Sequence, residues 1–329
     1  MTSCSVVIPV YNRTALTRQC LDSLLASPPE DAELEIIVVD DASSDRTAEA
    51  LAEYEERIRV VRHEQNAGFA RSCNDGAAAA SGDWLVFLNN DTIPEPGWLD
   101  ALLRYASGRE RIGLVGAKLL FPDKRIQHAG VVFAGDRSPH HVYAGFPGDH
   151  PAVNKSREYQ VVTAACALIR RELFEEAGAF DPSFVNGYED VDLCLRLRTM
   201  GYEIHYCHES VLVHLESATR DYLLDSVNFG LFLERWSDVV YQDDLHYYLE
   251  DGLLALSYWE QCPALLAVSP LLAVLDERAT TTDRLLAERS RELFALLKEN
   301  TRLRIELLEA QERAPVAGTH GRPPSDGVS

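Results

Sequence analysis

The sequence predicts an α/β protein whose central sheet is mixed but mainly parallel and is covered by helices on both faces. Apolar, β-rich runs alternate with helical patterns through the first third of the chain, and this alternation is typical of parallel strands joined by helical crossovers. The chain has 329 residues, of which 46% are hydrophobic, so it can bury one large core and has room for a smaller appendage.

Four strand–helix pairs occupy residues 1–110, which we interpret as a nucleotide-binding half-domain. Open sheets of this type bind ligands at the carboxyl ends of their strands. In each pair a strand-like run precedes a helical one: "CSVVIPV" before residues 14–26, "LEIIVVDD" before "DRTAEALAEYEE", "IRVVRH" before "AGFARSCNDGAAAAS", and "DWLVFLNN" before "GWLDALLRYAS".

The pattern changes after residue 112, and we interpret 111–220 as the half that carries the chemistry and the second substrate. Irregular strands are followed by a loop rich in Gly, Pro and His at 139–155. "VVTAACALIRRELFEEAGAF" then predicts a strand and a helix. "YEDVDLCLRLRTMG" predicts a helix with Leu193, Leu197 and Met200 on one face and Gly201 at its end.

The sequence of residues 221–329 predicts three further segments. Residues 221–276 form a helical extension in which "QCPALLAVSPLLAVL", at 261–275, is too short for a membrane-spanning helix and is interpreted as a packed helix pair. Residues 277–313 are predicted to form a charged amphipathic helix. A heptad pattern over 281–313 fits a coiled coil that would make a homodimer, or a single helix lying on its own domain. Residues 314–329 have the composition of a disordered tail.

The net charge and the cysteine content indicate which classes of partner and which cellular compartment to expect. The formal net charge of -21 disfavours nucleic acid or an anionic lipid surface as the main partner. The seven cysteines are scattered without a CxxC pair, which indicates reduced thiols. No export signal or transmembrane segment is recognisable. We therefore expect a cytoplasmic protein, and a peripheral position at the inner membrane face is left open.

Four polar clusters come directly after predicted strands or at a helix start. Trp84–Leu88 are interpreted as a strand buried on both faces, which puts the next cluster at its carboxyl end. Taken singly, each cluster is also explained as a turn, a helix cap or a buried polar residue. Together they provide a carboxylate that could contact a nucleobase, ligands for a metal ion and a general base, all at one edge of the sheet. The clusters are Asp40 with Asp41, Asn89–Asn90–Asp91, Tyr188–Glu189–Asp190, and His214.

Asp91 and His214 are suited to Mn²⁺ or Mg²⁺, which accept carboxylate and imidazole ligands and share their other positions with water and phosphate oxygens. Such an ion would let an acidic protein bind a diphosphate, and Arg71 or Arg220 could add a charge-assisted contact. The other acidic cluster opens a helix, where the helix dipole stabilises an ionised carboxylate that can act as general base on a hydroxyl.

Five motifs in order resemble the family 2 glycosyltransferases, which are inverting enzymes of the GT-A fold that use nucleotide-diphosphate sugars. The resemblance covers residues 3–220. "HAGVVF", the 139–155 loop and "FLERW" further resemble the branch that includes rhamnosyl and other transferases of bacterial surface polysaccharides. The five motifs are "VVIPVYNR", "IIVVDDASSDRT", "NAGFARSCNDGAAAASGDWLVFLNNDT", "GAFDPSFVNGYEDVDLCLRLRTMGY" and "VLVHLESATR".

The resemblance implies roles for the donor-side residues. Pro9, Tyr11 and Asp40 match positions that contact the nucleobase and ribose, and Asn66 and Arg71 are expected nearby. The segment from Asn89 through Asn90 to Asp91 matches the family's DxD motif and is expected to hold the ribose and the metal.

The resemblance also assigns the catalytic and metal residues. Asp190 matches the catalytic base of the family's "ED" pair, with Glu189 beside it, and His214 matches a metal-binding histidine. Asn89 departs from the pattern because many relatives carry Asp there. A carboxamide contacts ribose or metal without bringing charge, so we expect a weaker or more substrate-dependent metal site.

We therefore expect an inverting glycosyltransferase that uses a UDP- or dTDP-sugar. The acceptor is expected to be a hydroxyl of a glycan, a lipid-linked glycan or a small molecule. A sugar-phosphate nucleotidyltransferase agrees less well with the sequence. Such an enzyme needs a Gly-rich basic loop after the first strand, and "PVYNR" has no glycine. A dehydrogenase is disfavoured because no GxGxxG motif follows the first predicted strand. A non-catalytic sugar-nucleotide or glycan-binding protein on the same fold is the non-enzyme alternative.

Overall fold

The computed structural model describes residues 2–215, 222–259, 262–269 and 271. The chain divides into two units, Met1–Ser269 and Pro270–Ser329. Nearly all of the second unit, including the predicted 281–313 helix and the 314–329 tail, lies outside the described residues, as does Arg220. No helix within the described part of the chain combines the length and apolar character needed to cross a bilayer.

The described secondary structure follows the predicted alternation closely. The strands are β1 Thr2–Val10, β2 Ala32–Asp40, β3 Arg59–Arg62, β4 Trp84–Leu88, β5 Thr92–Pro94, β6 Ile112–Leu120, β7 Ile126–His128, β8 Val131–Phe133, β9 Pro139–His141, β10 Arg157–Tyr159, β11 Cys166–Arg170, β12 Glu203–His214, β13 Leu254–Trp259 and β14 Cys262–Ala267. The helices are α1 Thr14–Ala26, α2 Thr47–Ala52, α3 Phe69–Ala79, α4 Trp98–Ala106, α5 Arg171–Glu176, α6 Glu189–Thr199, α7 Tyr222–Trp236 and α8 Asp244–Glu250.

One mixed, mainly parallel sheet organises the fold, in the order β10-β12-β6-β11-β4-β1-β2-β3. Strands β4, β1, β2 and β3 are mutually parallel, and β6 is parallel to β12. The antiparallel strand β11 lies between β4 and β6, so both groups of strands run in the same direction. Their carboxyl ends therefore meet along one edge, as the sequence predicted, and β11 begins at that edge.

The core is made by short apolar strands that helices cover. Residues 85–88 of β4 are fully buried, which confirms the predicted strand buried on both faces. Helix α3 packs very closely on the sheet at Gly76, where a Cβ atom would come within 2.3 Å of Val7 Cγ1. A side chain at that position would push α3 away from β1, so this glycine sets the position of the helix whose first turn reaches the functional edge.

Two sequence-based assignments are wrong in detail. Residues 262–267 of the predicted helix pair form β14, which pairs antiparallel with β13, although α7 and α8 confirm helices earlier in the extension. Pro263 has no N–H and disfavours a helix interior, and an apolar run this short has no periodicity that separates helix from strand. Met200 lies past the last turn of α6 and is 39% exposed, rather than sharing the buried face of Leu193 and Leu197.

Candidate active site

A cavity with a volume of about 590 Å³ lies at the carboxyl edge of the sheet. Asn89 reaches it from the end of β4 and His214 from the end of β12. Thr163 lines it just before β11, and Asp190 lines it from the start of α6. Residues separated by up to 125 positions in the sequence therefore line the same cavity, because the parallel strands end at the same edge.

His214 and Asp91 are in direct contact beside this cavity. The His214 Nε2 atom lies 3.0 Å from Asp91 Oδ1, and both side chains are largely buried. Strand pairing brings them together, since His214 is opposite Thr92 in the β12–β5 ladder. The backbone reinforces the contact, because Leu215 N donates to the Asp91 carbonyl at 2.9 Å.

The contact of the second ring nitrogen indicates the tautomer of His214. Its Nδ1 lies 2.6 Å from Gln127 Oε1, an acceptor, so Nδ1 carries the hydrogen. In the neutral imidazole, the Nε2 lone pair then faces the Asp91 carboxylate. A proton or a cation between these two atoms removes their repulsion, and an imidazole nitrogen beside a carboxylate oxygen is a donor set that suits a divalent ion.

The pair would supply only part of the coordination shell of a metal ion. No group of three or more His, Cys, Asp or Glu side chains that could hold a metal occurs among the described residues. The amide nitrogen of Asn89 lies 3.4 Å from His214 Nε2 and brings no charge. An ion bound by Asp91 and His214 would therefore take its remaining ligands from water or from a substrate diphosphate.

The acidic pair sits at the amino end of α6, as predicted. Asp190 Oδ2 accepts from Ala164 N at 3.0 Å and its Oδ1 accepts from Val191 N at 2.8 Å. Glu189 Oε2 accepts from Gly187 N at 2.6 Å. These backbone donors fix the two carboxyl groups in place at the cavity wall.

The two carboxyl groups differ in exposure, and this separates their protonation. Glu189 is only 7% exposed, and burial together with the neighbouring Asp190 carboxylate raises its pKa to about 8. Burial also raises the pKa of Asp190, but Asp190 is only half-buried and accepts two backbone hydrogen bonds that favour its ionised form. We conclude that Glu189 holds the proton and that Asp190 carries the negative charge facing the cavity.

Asp40 lines a second, smaller cavity of about 300 Å³ between β2, β3 and α2. Its Oδ1 accepts from Ser43 N at 2.9 Å, whereas its buried Oδ2 has no hydrogen-bond partner. Arg62 also lines this cavity, and its Nη1 lies 3.5 Å from that Oδ2. A buried acceptor without a partner is costly in a folded protein, so this oxygen is a candidate contact for a ligand N–H.

Asp41, the neighbour of Asp40, has a different role. Its carboxylate accepts from Ala67 N at 2.7 Å and from Gly68 N at 2.9 Å, and it lies 2.7 Å from His63 Nδ1. These contacts shape the loop that carries Asn66 into the start of α3. Asp41 therefore holds the loop in place, and its oxygens are already occupied.

The remaining predicted donor residues lie at the same edge but outside both cavities. Tyr11 follows β1 and is 52% exposed. Arg71, in the first turn of α3, is exposed, and none of the ion pairs formed within the described residues includes it. Asn90 donates from Nδ2 to Thr17 Oγ1 at 2.9 Å, which directs its amide toward α1. Pro9 is paired with Val39 one residue before Asp40.

Sequence reasoning missed Gln127, Arg62 and Thr163. Gln127 orients His214 from a strand that is separated from it by 87 residues, and a lone glutamine in an apolar run gives no local signal. Arg62 ends β3, the strand next to Asp40 in the sheet. The rule that ligands bind at strand ends could have indicated Arg62, because it points to residues that follow parallel strands.

Comparison with known proteins identifies the family. Residues 5–178 match the family model described as "Glycosyl transferase family 2". The chain belongs to glycosyl transferase family 2. Family membership places it among the glycosyltransferases, as the sequence motifs predicted.

This family 2 chain is similar to segments of much longer proteins. It is 35% identical over 225 residues to the O-antigen biosynthesis protein RfbC of Myxococcus xanthus, covering 66% of this chain and 17% of that protein. It is 33% identical over 226 residues to the uncharacterized protein y4gI of Sinorhizobium fredii, covering 66% of this chain and 25% of that protein. The chain thus spans a quarter or less of the length of these relatives.

Solved structures confirm the predicted GT-A fold of the family 2 chain. GalNAc-T7 with UDP, GalNAc and Mn²⁺ superposes with a TM-score of 0.60 at 18% identity, covering 72% of this chain and 49% of that chain. The mannosyltransferase PcManGT from Pyrobaculum calidifontis, in complex with GDP-Man and Mn²⁺, gives 0.55 at 18% identity and covers 88% and 79%. At this identity the likeness concerns the fold alone.

Proposed function

We propose that this chain transfers a sugar, with inversion, from a nucleotide-diphosphate donor to an acceptor hydroxyl, with Asp190 as the general base. The observation that carries the proposal is the shared cavity. The ionised Asp190 carboxylate and the His214 ring, which contacts Asp91, both line it. A base and a diphosphate-binding pair are thereby within reach of one sugar ring.

The chemistry follows from these positions. Asp190 accepts the proton of the acceptor hydroxyl while that oxygen attacks the anomeric carbon of the sugar. The bond from this carbon to the diphosphate oxygen breaks, and attack on the opposite face inverts the configuration. Mn²⁺ or Mg²⁺ held by Asp91 and His214 would stabilise the negative charge of the departing diphosphate. Gln127 keeps His214 in the tautomer that presents Nε2 to such an ion.

For the donor we propose a UDP- or dTDP-sugar, because Asp40 Oδ2 accepts no hydrogen bond and has the Arg62 guanidinium 3.5 Å away. The Oδ1 atom of Asp40 already accepts a hydrogen bond from Ser43 N, so Oδ2 is the oxygen that could contact the nucleobase of the donor. Uracil and thymine present a single ring N–H between two carbonyl oxygens, and Arg62 can donate to one of these. Guanine would leave its amino group beside this oxygen without a second acceptor, whereas cytosine and adenine would place a ring lone pair next to the amino hydrogen that the carboxylate accepts.

For the acceptor we propose a hydroxyl of a glycan, either free or lipid-linked, and a place in polysaccharide biosynthesis. The relative RfbC is named for O-antigen biosynthesis, which supports this proposal. The cavity wall combines apolar side chains with Tyr188, His140 and His141, and the described lining contains no lysine or arginine. Such a wall suits the neutral sugar rings of a glycan, while the diphosphate of the donor would be bound through an ion held by Asp91 and His214.

Calorimetry with UDP, dTDP, GDP and CDP in the presence of Mn²⁺ tests the donor proposal. UDP and dTDP should bind tightest, and Asp40→Asn should reduce the preference for UDP over CDP at least ~10-fold, because an amide can face either base edge. Glu55→Gln, in the wall of the same cavity, is the matched control and should preserve the preference. Tightest binding of GDP or CDP to the wild type would refute the proposal.

Activity separates transfer from binding alone. Incubation of the preferred nucleotide sugar with Mn²⁺ should release the nucleoside diphosphate slowly even without acceptor, because water can replace the hydroxyl. A protein that binds the donor tightly and releases no diphosphate, with glycan acceptors present or absent, would instead be the non-catalytic binding protein.

A further inference from the structure

The loop that leads into the acidic pair has an unusual backbone. Asn186, Gly187 and Tyr188 all have positive φ angles, of 51°, 154° and 71°. Such angles are unfavourable for asparagine and especially for tyrosine, so consecutive residues keep them only when neighbouring groups hold the backbone. Since Tyr188 directly precedes Glu189, whatever holds this loop also determines where the acidic pair lies.

Asn228, from helix α7, holds the beginning of the loop. Its Oδ1 accepts from Val185 N at 3.2 Å, and its Nδ2 donates to the Val185 carbonyl at 2.9 Å. One side chain therefore satisfies both backbone groups of Val185, although Val185 belongs to no strand or helix. Asn228 is only 2% exposed, whereas Val185 is 44% exposed, so the two bonds are partly buried.

Aromatic packing by α7 holds the end of the same loop. The ring of Phe232 lies 5.5 Å from that of Tyr188 and stacks on that of Phe133 at 5.9 Å, measured between centroids. Phe133 ends β8, whose first residue, Val131, lines the large cavity. Further along α7, Trp236 Nε1 donates to Asp192 Oδ1 on α6 at 3.0 Å. Helix α7 thus contacts the 185–188 loop, helix α6 and strand β8.

We infer that Asn228 is a positioning residue for the acidic pair, and that α7 functions as a brace that sets the location of Asp190 in the cavity. The inference rests on the proposed role of Asp190 as base. Asn228 and Phe232 lie outside residues 5–178, the segment that matches the family model. Asn228 acts through the backbone of Val185 and Phe232 through the ring of Tyr188, and neither residue lines either cavity.

The test compares Asn228→Ala with Val227→Ala, a control on the same helix whose side chain is 67% exposed. Hydrogen–deuterium exchange is followed over residues 183–191, UDP binding with Mn²⁺ is measured by calorimetry, and release of UDP from UDP-glucose, UDP-galactose and UDP-N-acetylglucosamine gives turnover. Phe232→Leu is a second variant that keeps an apolar side chain in the core, in case the alanine variant does not fold.

Asn228→Ala or Phe232→Leu should speed exchange over 183–191 at least ~10-fold and lower turnover by a similar factor, with UDP affinity within about 2-fold of wild type. Val227→Ala should change none of the three. Unchanged local exchange in both variants would overturn the inference. Faster local exchange alongside wild-type turnover in Asp190→Asn would overturn the base assignment and leave the positioning of the acidic pair standing.

Discussion

Replacing Glu189 by Gln should make the protein more stable at neutral pH, although Glu189 lies in the candidate active site. Burial and the Asp190 charge raise the pKa of Glu189 to about 8. Glutamine has nearly the same shape and is always neutral, and its amide oxygen can still accept from Gly187 N, the bond that Glu189 makes. The substitution therefore removes the need to take up a proton on folding.

The size of the effect follows from the two pKa values. An unfolded glutamate titrates near 4.3, so at pH 7 the folded chain binds a proton that the unfolded chain does not, at a cost of at most about 4 kcal/mol. Relaxation around a coupled carboxyl pair reduces this cost, and we expect a gain of about 1–2 kcal/mol at pH 7. A carboxyl group with a raised folded pKa lowers stability progressively above its unfolded pKa, so the gain should vanish near pH 4 and level off above pH 8.

Urea unfolding of the wild type and of Glu189→Gln between pH 4.5 and 8.5 measures this difference. Glu172→Gln is a matched control, since Glu172 is exposed in the first turn of α5, and it should change stability by less than about 0.5 kcal/mol at any of these pH values. A variant that is equally or less stable than wild type at pH 7–8 would show that Glu189 is ionised in the folded protein. The division of charge within the acidic pair would then be wrong.

Three other predictions address the base, the metal and the assembly. Asp190→Asn should lower turnover at least ~10²-fold while UDP binding by calorimetry stays nearly unchanged, and turnover within a few-fold of wild type would remove Asp190 from the base role. Asp91→Ala, or EDTA added to the wild type, should weaken UDP binding, whereas unchanged affinity would mean that protein groups alone hold the diphosphate. Removing residues from 277 onward should halve the mass measured by light scattering if 281–313 form a coiled coil, and a full-length monomer would contradict that assembly.

Local sequence was sufficient to predict the elements and the edge at which the site lies. Helix α1 occupies the predicted residues 14–26, and β4 occupies Trp84–Leu88 as predicted. Both depend on short-range patterns, namely helical periodicity and an apolar run that ends in polar residues. Because parallel strands place their carboxyl ends together, the order of these elements also predicted that Asp40, Asn89 and His214 would share one edge.

Tertiary structure alone decided which of these residues meet and in what chemical state. His214 contacts Asp91 because β12 pairs with β5, and it is oriented by Gln127 because β7 pairs with β6, two ladders that no local pattern specifies. The same holds for Asn228, whose amide finds Val185 across 43 residues, and for the 262–267 strand, which needs β13 beside it. The division of charge between Glu189 and Asp190 likewise depends on burial, and burial is a property of the packed chain rather than of the residues in sequence.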